Sequence, residues 1–313
     1  MHADRPLLGI LLMLGFCALA PLGDAVAKIL GGVIPLGMLL LARFGIQAAI
    51  LLPIVAAGRR PWRMRGRVLA LAWARTLLHI AGIAMMFSAL RYLPLADAIA
   101  IAYVMPFILL LLGWALMGEE VGWRRLAACV AGFAGTLMVI RPSFQEVGWP
   151  ALLPVGVAVG FALFMLVTRA IARETDPLGL QAVSGLMATA LLLPALALAD
   201  GRGWPGLGLV APPAEALSLL LLLGVLGTLA HLCMTWALRY APSATLAPMQ
   251  YLEIPFATLF GWAIFRDLPD GMAAAGILVT MASGLYVLMR ERAIARAAAG
   301  APPPPPRGSA GAG

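Results

Sequence analysis

The sequence predicts an all-α integral membrane protein of ten transmembrane helices in two inverted five-helix repeats. Three observations carry this: an apolar excess, ten apolar runs with short charged connections, and a motif that recurs 148 residues downstream. Of 313 residues, 62% are apolar and 12% charged, and mean hydropathy is +0.96. Soluble domains run about half apolar and about a quarter charged. A core of this size cannot hide so much apolar surface from water, so lipid must cover the rest.

A membrane-spanning helix needs about 20 mostly apolar residues. The first five runs that satisfy this are Leu7–Ala27, Pro35–Ala57, Val68–Leu90, Leu95–Met117 and Leu126–Ile140. The second five are Leu152–Ala172, Leu178–Ala199, Ala216–Leu238, Thr245–Phe265 and Met272–Met289. The charges sort between their connections. The loop after span 2 holds Arg59, Arg60, Arg63, Arg65 and Arg67, and the termini and the loops after spans 4, 6 and 8 are also arginine-bearing. On the other side each loop carries one basic residue: Lys28, Arg91, Arg141, Arg202 and Arg266. The positive-inside rule therefore puts both termini in the cytoplasm of a multi-pass inner-membrane protein. The net charge of +8 finds its partner in this way, without a nucleic acid. Cys17, Cys129 and Cys233 fall singly in apolar runs and read as small packing residues. Residues 291–313 are rich in Ala and Gly, contain Pro302–Pro306, and read as a disordered tail.

The chain repeats itself. Ala89-Leu90-Arg91-Tyr92-x-Pro94-x-Ala96 recurs as Ala237-Leu238-Arg239-Tyr240-x-Pro242-x-Ala244. In the same register Tyr103 meets Tyr251, Gly113-Trp114-Ala115 meets Gly261-Trp262-Ala263, and Glu119 meets Asp267. Gly15-Phe16 and Ala25-x-Ala27 match Gly160-Phe161 and Ala170-x-Ala172 at an offset of 145. Because each half has an odd number of spans, the second enters from the opposite face. The halves are therefore residues 7–141 (spans 1–5) and 150–290 (spans 6–10). The first span looks like a secretory signal, with Ala18-Leu19-Ala20 as a cleavage site, but its match in the second half argues that it is retained.

Inverted repeats suit secondary transport, since two like halves can exchange conformations around a midplane site. A phosphate-loop motor is excluded, because Lys28 is the sole lysine and lies in no GxxxxGK[ST]. No HExxH, GxSxG or CxxC supports an embedded enzyme. Neither a charge ring nor a filter motif supports a channel, the other rival class.

Pro94-Leu95-Ala96-Asp97-Ala-x-Ala-Ile, Pro106, Gly118-Glu119 and Gly135 resemble the fourth and fifth helices of an EamA domain. Pro242, Pro248, Tyr251, Pro255, Asp267-x-Pro269-Asp270, Gly276 and Gly284 resemble a second copy. Together they are similar to the EamA branch of the drug/metabolite transporter superfamily, with Asp267 where a Glu is expected. The resemblance implies a ten-helix carrier of organic metabolites. Asp24-x-x-x-Lys28, Arg43, Arg75, Arg141-Pro142 and Thr168-Arg169 resemble a subgroup that carries S-adenosylmethionine, riboflavin, carnitine-like compounds or opine metallophores.

Charges inside spans are expensive and are the leading site candidates. Asp24 and Lys28 can pair across one turn, or Asp24 can meet Arg169 across the pseudo-twofold; both arrangements read as gating pairs. Arg43 lies deep in span 2, where its guanidinium can fork onto an anionic group or bond helix-end carbonyls. Arg75 and His79 share a face of span 3. Asp97 opens span 4, where the helix dipole favours an acid. Glu253 sits between Pro248 and Pro255 with Gln250 and Tyr251. It either binds a cationic substrate, carries a coupling proton, or rests neutral against a neighbouring helix. Tyr103 and Tyr251 can stack on a ring or cation, or simply pack. Arg43, Arg75, Tyr103, Gln250, Tyr251 and Glu253 thus form the expected substrate site, and Asp24, Lys28, Asp97 and Arg169 the expected gates. His79 and His231 read as packed rather than metal-binding. The expected partners are the lipid bilayer, a small zwitterionic or amphipathic solute, and a coupling proton or counter-substrate; no cofactor or metal is expected. A vitamin importer or drug exporter is the alternative within transport.

Overall fold

A computed structural model of the chain describes residues 6–105, 107, 108, 112, 123–171, 174–200, 202, 204, 206–240 and 250–299. All regular structure among them is helical. In order the helices are α1 (Pro6–Leu30), α2 (Leu36–Ala57), α3 (Gly66–Ala89), α4 (Leu95–Ala102) and α5 (Trp123–Val147). After a 3₁₀ turn at Trp149–Leu152 come α6 (Leu153–Ile171), α7 (Pro177–Ala199), α8 (Ala214–Tyr240), α9 (Glu253–Phe260) and α10 (Gly271–Ala299).

Helix starts follow local chemistry. Proline, which lacks an N–H to leave unsatisfied, precedes α2 and α4 as Pro35 and Pro94 and begins α7 as Pro177. Asp176 caps α7 by accepting a hydrogen bond from the Gly179 amide at 3.0 Å. Leu11, Val130, Phe133, Leu221 and Leu278 lie exposed on the outside. That apolar surface is what lipid would cover.

Seven described helices are long and apolar enough to cross a membrane: α1, α2, α3, α5, Trp149–Thr168, α7 and α8. The other three of the ten expected spans do not reach that length among the described residues. Span 4 is regular only over Leu95–Ala102, turns at Tyr103-Val104, and then runs largely into residues outside the described set. Residues 245–249 of span 9 lie outside that set too, and its helix begins at Glu253 after a turn at Tyr251-Leu252. The apolar part of α10, Gly271–Tyr286, is shorter than a full crossing. Two ends also move. α5 continues through Pro142, whose missing N–H costs one carbonyl its partner, while Ser143 Oγ donates back to Val139 O at 3.2 Å. α10 runs to Ala299, past Arg290, since alanine is a strong helix former; residues 300–313 lie outside the described set.

Helix pairs that link the halves include α1 with α8, α3 with α6, α2 with α7, α5 with α10, and α4 with α9. The list is unchanged when α1–α5 are exchanged with α6–α10. The α5–α10 seam depends on absent side chains. A Cβ on Gly276 would stand 2.5 Å from the Gly135 carbonyl, and one on Gly135 would stand 2.7 Å from Thr280 Oγ1. Gly276→Val should therefore force the seam apart and destabilise the fold by about 1–3 kcal/mol. Thermal unfolding of the detergent-purified protein checks this against Gly32→Ala, whose added Cβ meets nothing within 4 Å.

Candidate functional site

A central cavity enclosing about 1070 Å³ of empty space, its open mouth included, is lined from α1, α2, α3, α4, α6, α8 and the start of α9. Much of its wall is apolar, with Phe16, Phe87 and Phe161 as its phenyl rings. Its polar groups are few: Asp24, Arg43, His79, Tyr103, His231, Gln250 and Glu253. Small-molecule sites share this make-up, an apolar wall with a few placed polar groups.

Arg43 is 3% exposed, and its guanidinium occupies space that Gly227 leaves open; a Cβ there would overlap Arg43 Nε. Arg43 Nη1 donates to Gln47 Oε1 at 2.9 Å, and Gln47 Nε2 donates to the Gln181 carbonyl at 2.8 Å. Arg43 Nη2 has no protein partner among the described residues. Asp24, across the cavity wall, lies close enough for its charge and that of Arg43 to interact. The site thus presents an unanswered donor beside an opposed carboxylate.

The turns at Tyr103-Val104 and Tyr251-Leu252 meet each other beside the cavity. Pro106 has no N–H to offer the Ala102 carbonyl, and Pro255 has none to offer the Tyr251 carbonyl. The Tyr251 carbonyl instead accepts from Ile254 at 3.3 Å. Tyr103 Oη lies 2.6 Å from the Gln250 carbonyl and 2.5 Å from Glu253 Oε2. The Tyr103 and Tyr251 rings are 5.2 Å apart. Tyr251 packs into the space left by Gly284, outside the cavity lining.

Other expected residues sit elsewhere. Arg75 lies in the core rather than on the cavity wall. Its Nε donates to Thr168 Oγ1 at 2.9 Å, its Nη1 donates to Ser184 Oγ at 2.8 Å, and the guanidinium lies 4.4 Å over the Phe164 ring. Lys28 does not pair with Asp24; Lys28 Nζ donates to the Leu93 carbonyl at 2.8 Å and to Asp267 Oδ2 at 3.3 Å. Asp24 is thereby left to the cavity. The side chain of Arg169 lies outside the described set. Asp97 is buried in the first turn of α4, near Ser143 and off the cavity wall.

Sequence reasoning missed two features. Gln47 stands four residues from Arg43 on one helix face, a spacing that could have revealed the contact. His79 and His231 meet with their Nε2 atoms 3.3 Å apart. One nitrogen must donate and the other accept, so the bonded pair holds at most one positive charge. Their separation of 152 residues falls outside the repeat register of 148, and no sequence signal joined them. Among the described residues, no three His, Cys, Asp or Glu side chains gather as a metal-ligand set.

The Arg43–Gln47–Gln181 chain yields a stability test. Gln47→Leu leaves Arg43 Nη1 buried without its acceptor and removes the extra donor to the Gln181 carbonyl, which should cost about 1–3 kcal/mol. The melting temperature of the purified variant should fall accordingly, and Gln47→Glu should recover only part of the loss, since a carboxylate still accepts from Arg43 but cannot donate to the Gln181 carbonyl.

Comparison with known proteins places this architecture. A solved crystal structure of a protein chain superimposes with a TM-score of 0.61 at 21% identity, covering 91% of this chain and 96% of that one. The chain is 29% identical over 231 residues to a riboflavin transporter of Rhizobium johnstonii, covering 74% of this chain and 71% of that protein. It is 22% identical over 270 residues to an S-adenosylmethionine uptake transporter of Rickettsia bellii, covering 86% and 89%. The profile of the EamA-like transporter family matches residues 7–141 and again 148–289, and the chain belongs to that family.

Proposed function

We propose that this protein is a bacterial inner-membrane secondary transporter that moves a small ring-bearing metabolite by alternating access. Ten spans in two inverted repeats, with both termini cytoplasmic, form its frame. The observation that carries the reading is the cavity: both halves build it, and it sets Arg43 Nη2 and Asp24 among phenyl rings. An aromatic solute with a hydrogen-bonding edge would stack on the rings and accept from Arg43. Riboflavin, named for one relative, has this chemistry. A second reading, a zwitterion such as S-adenosylmethionine, is favoured by the opposed charges of Arg43 and Asp24 and by the other relative.

Ion pairs between the halves suit alternating access. Lys28–Asp267 (3.3 Å) lies at the end of α1, and Arg60–Asp176 (3.1 Å) and Arg67–Glu174 (3.3 Å) lie beyond the end of α2. α2 spans roughly 33 Å at 1.5 Å per residue, so these pairs sit at opposite ends of the bundle. Exposed pairs of this kind are weak, about 0–1 kcal/mol, as groups that must open each cycle require.

Counterflow in proteoliposomes tests the proposal. Labelled riboflavin should enter vesicles preloaded with unlabelled riboflavin, saturably and faster than it enters empty ones. Arg43→Ala should weaken apparent affinity about tenfold or more, as loss of a charged hydrogen bond implies. Arg43→Lys, which keeps the charge but loses the fork, should fall between. Counterflow of S-adenosylmethionine alone would select the second reading, and unsaturable flux would reject carrier action.

A further inference from the structure

The Tyr103 hydroxyl faces two acceptors and has one hydrogen. The Gln250 carbonyl at 2.6 Å can only accept, and a Glu253 carboxylate could likewise only accept, so the one tyrosine hydrogen cannot satisfy both. The contact of 2.5 Å with Glu253 Oε2 then needs a hydrogen from the other side, and a carboxylic acid supplies it. Apart from that one hydroxyl, no described group near Glu253 would stabilise the alternative, an anion. α1 and α4 pack against α9, and the titratable groups they bring towards Glu253 are Cys17, Asp24 and Tyr103. None is a cation, and Asp24 repels a second negative charge. The cations of the cavity region answer elsewhere: Arg43 interacts with Asp24, Arg75 bonds hydroxyls, and the His79–His231 pair holds at most one charge. Among the described residues Glu253 makes no ion pair.

We propose that Glu253 is a proton-binding site, loaded in this conformation, and that its proton is the coupling ion of the transport cycle. Loading and release alter the hydrogen-bond chain in a defined way. With the proton on Glu253, the acid O–H bonds Tyr103 Oη and the Tyr103 O–H bonds the Gln250 carbonyl. When the proton leaves to cavity water, the carboxylate becomes the stronger acceptor and takes the Tyr103 hydrogen. The Gln250 carbonyl then loses its donor at the very turn where span 9 is broken. Proton release and the backbone link between α4 and the start of α9 are one event. This deepens the transport reading and rests on it for the cargo, though not for the proton site.

Two measurements separate the proposal from the cargo assignment. In infrared difference spectra of the purified protein near neutral pH, a protonated-acid carbonyl band should be present. Glu253→Gln should remove it, Tyr103→Phe should shift it by deleting its hydrogen-bond partner, and Asp24→Asn should leave it. Absence of the band from the unaltered protein, or its loss in Asp24→Asn and not in Glu253→Gln, overturns the site. In proteoliposomes an imposed pH gradient should drive riboflavin accumulation by up to about tenfold per pH unit for one proton. The ratio of uptake with and without the gradient should fall to one in Glu253→Gln. A ratio of one in the unaltered protein, or an unchanged ratio in the variant, overturns coupling. If neither riboflavin nor S-adenosylmethionine exchanges in counterflow, the cargo reading fails by itself and the infrared bands still decide the proton site.

Discussion

A chain that leaves the α-helix inside a bilayer must find protein partners for its freed backbone groups, since lipid offers none. Here that constraint falls on the turns at Tyr103-Val104 and Tyr251-Leu252. The Tyr103 hydroxyl answers the Gln250 carbonyl across the boundary between the halves, and Glu253 answers the hydroxyl. Other features of the centre arrange themselves around this knot. The tyrosine rings pack at a tilt of 49°, Gly284 leaves room for Tyr251, and Glu253 reaches the cavity wall.

Buried arginines are accommodated by a second device, the missing side chain. Arg43 fits because residue 227 is a glycine, and Ile46 packs against Gly224 one turn earlier on α8. Arg75 solves the problem differently, with two hydroxyls and a ring face in place of a carboxylate. Both arrangements hold a fixed positive charge without a permanent counter-ion contact. The difference matters chemically. Arg75 ties α3 to α6 and α7 and is spent on structure, whereas Arg43 keeps a donor for the cavity.

How far the sequence could be read depended on whether a signal was local. Apolar length and proline position are local, so most helices were legible, including the weakened start of span 9 between Pro248 and Pro255. The matching turn in span 4 was missed, although Pro106 carries the same chemistry as Pro255. Helix phase put Arg75 and His79 on one face of span 3 but did not tell which neighbour Arg75 meets, and its hydroxyl partners lie about a hundred residues away on α6 and α7. Lys28 shows the same limit. Its nearest acid in sequence is Asp24, one turn back, yet tertiary geometry hands it to Asp267 and sends Asp24 to the cavity. Spacing proposes pairs within a helix and is silent about competition from another one.

The helix pairs α1–α8, α2–α7, α3–α6, α4–α9 and α5–α10 all join one half to the other. The first five helices therefore leave the ribosome with their partners not yet made. Until α6 to α10 follow, their glycine faces and buried arginines can meet only lipid, the insertion machinery or each other. Assembly must wait for the end of synthesis, and the first half is exposed to quality control for the whole interval. By the same logic, two separately synthesised halves carry complementary surfaces and have every reason to find each other in the membrane.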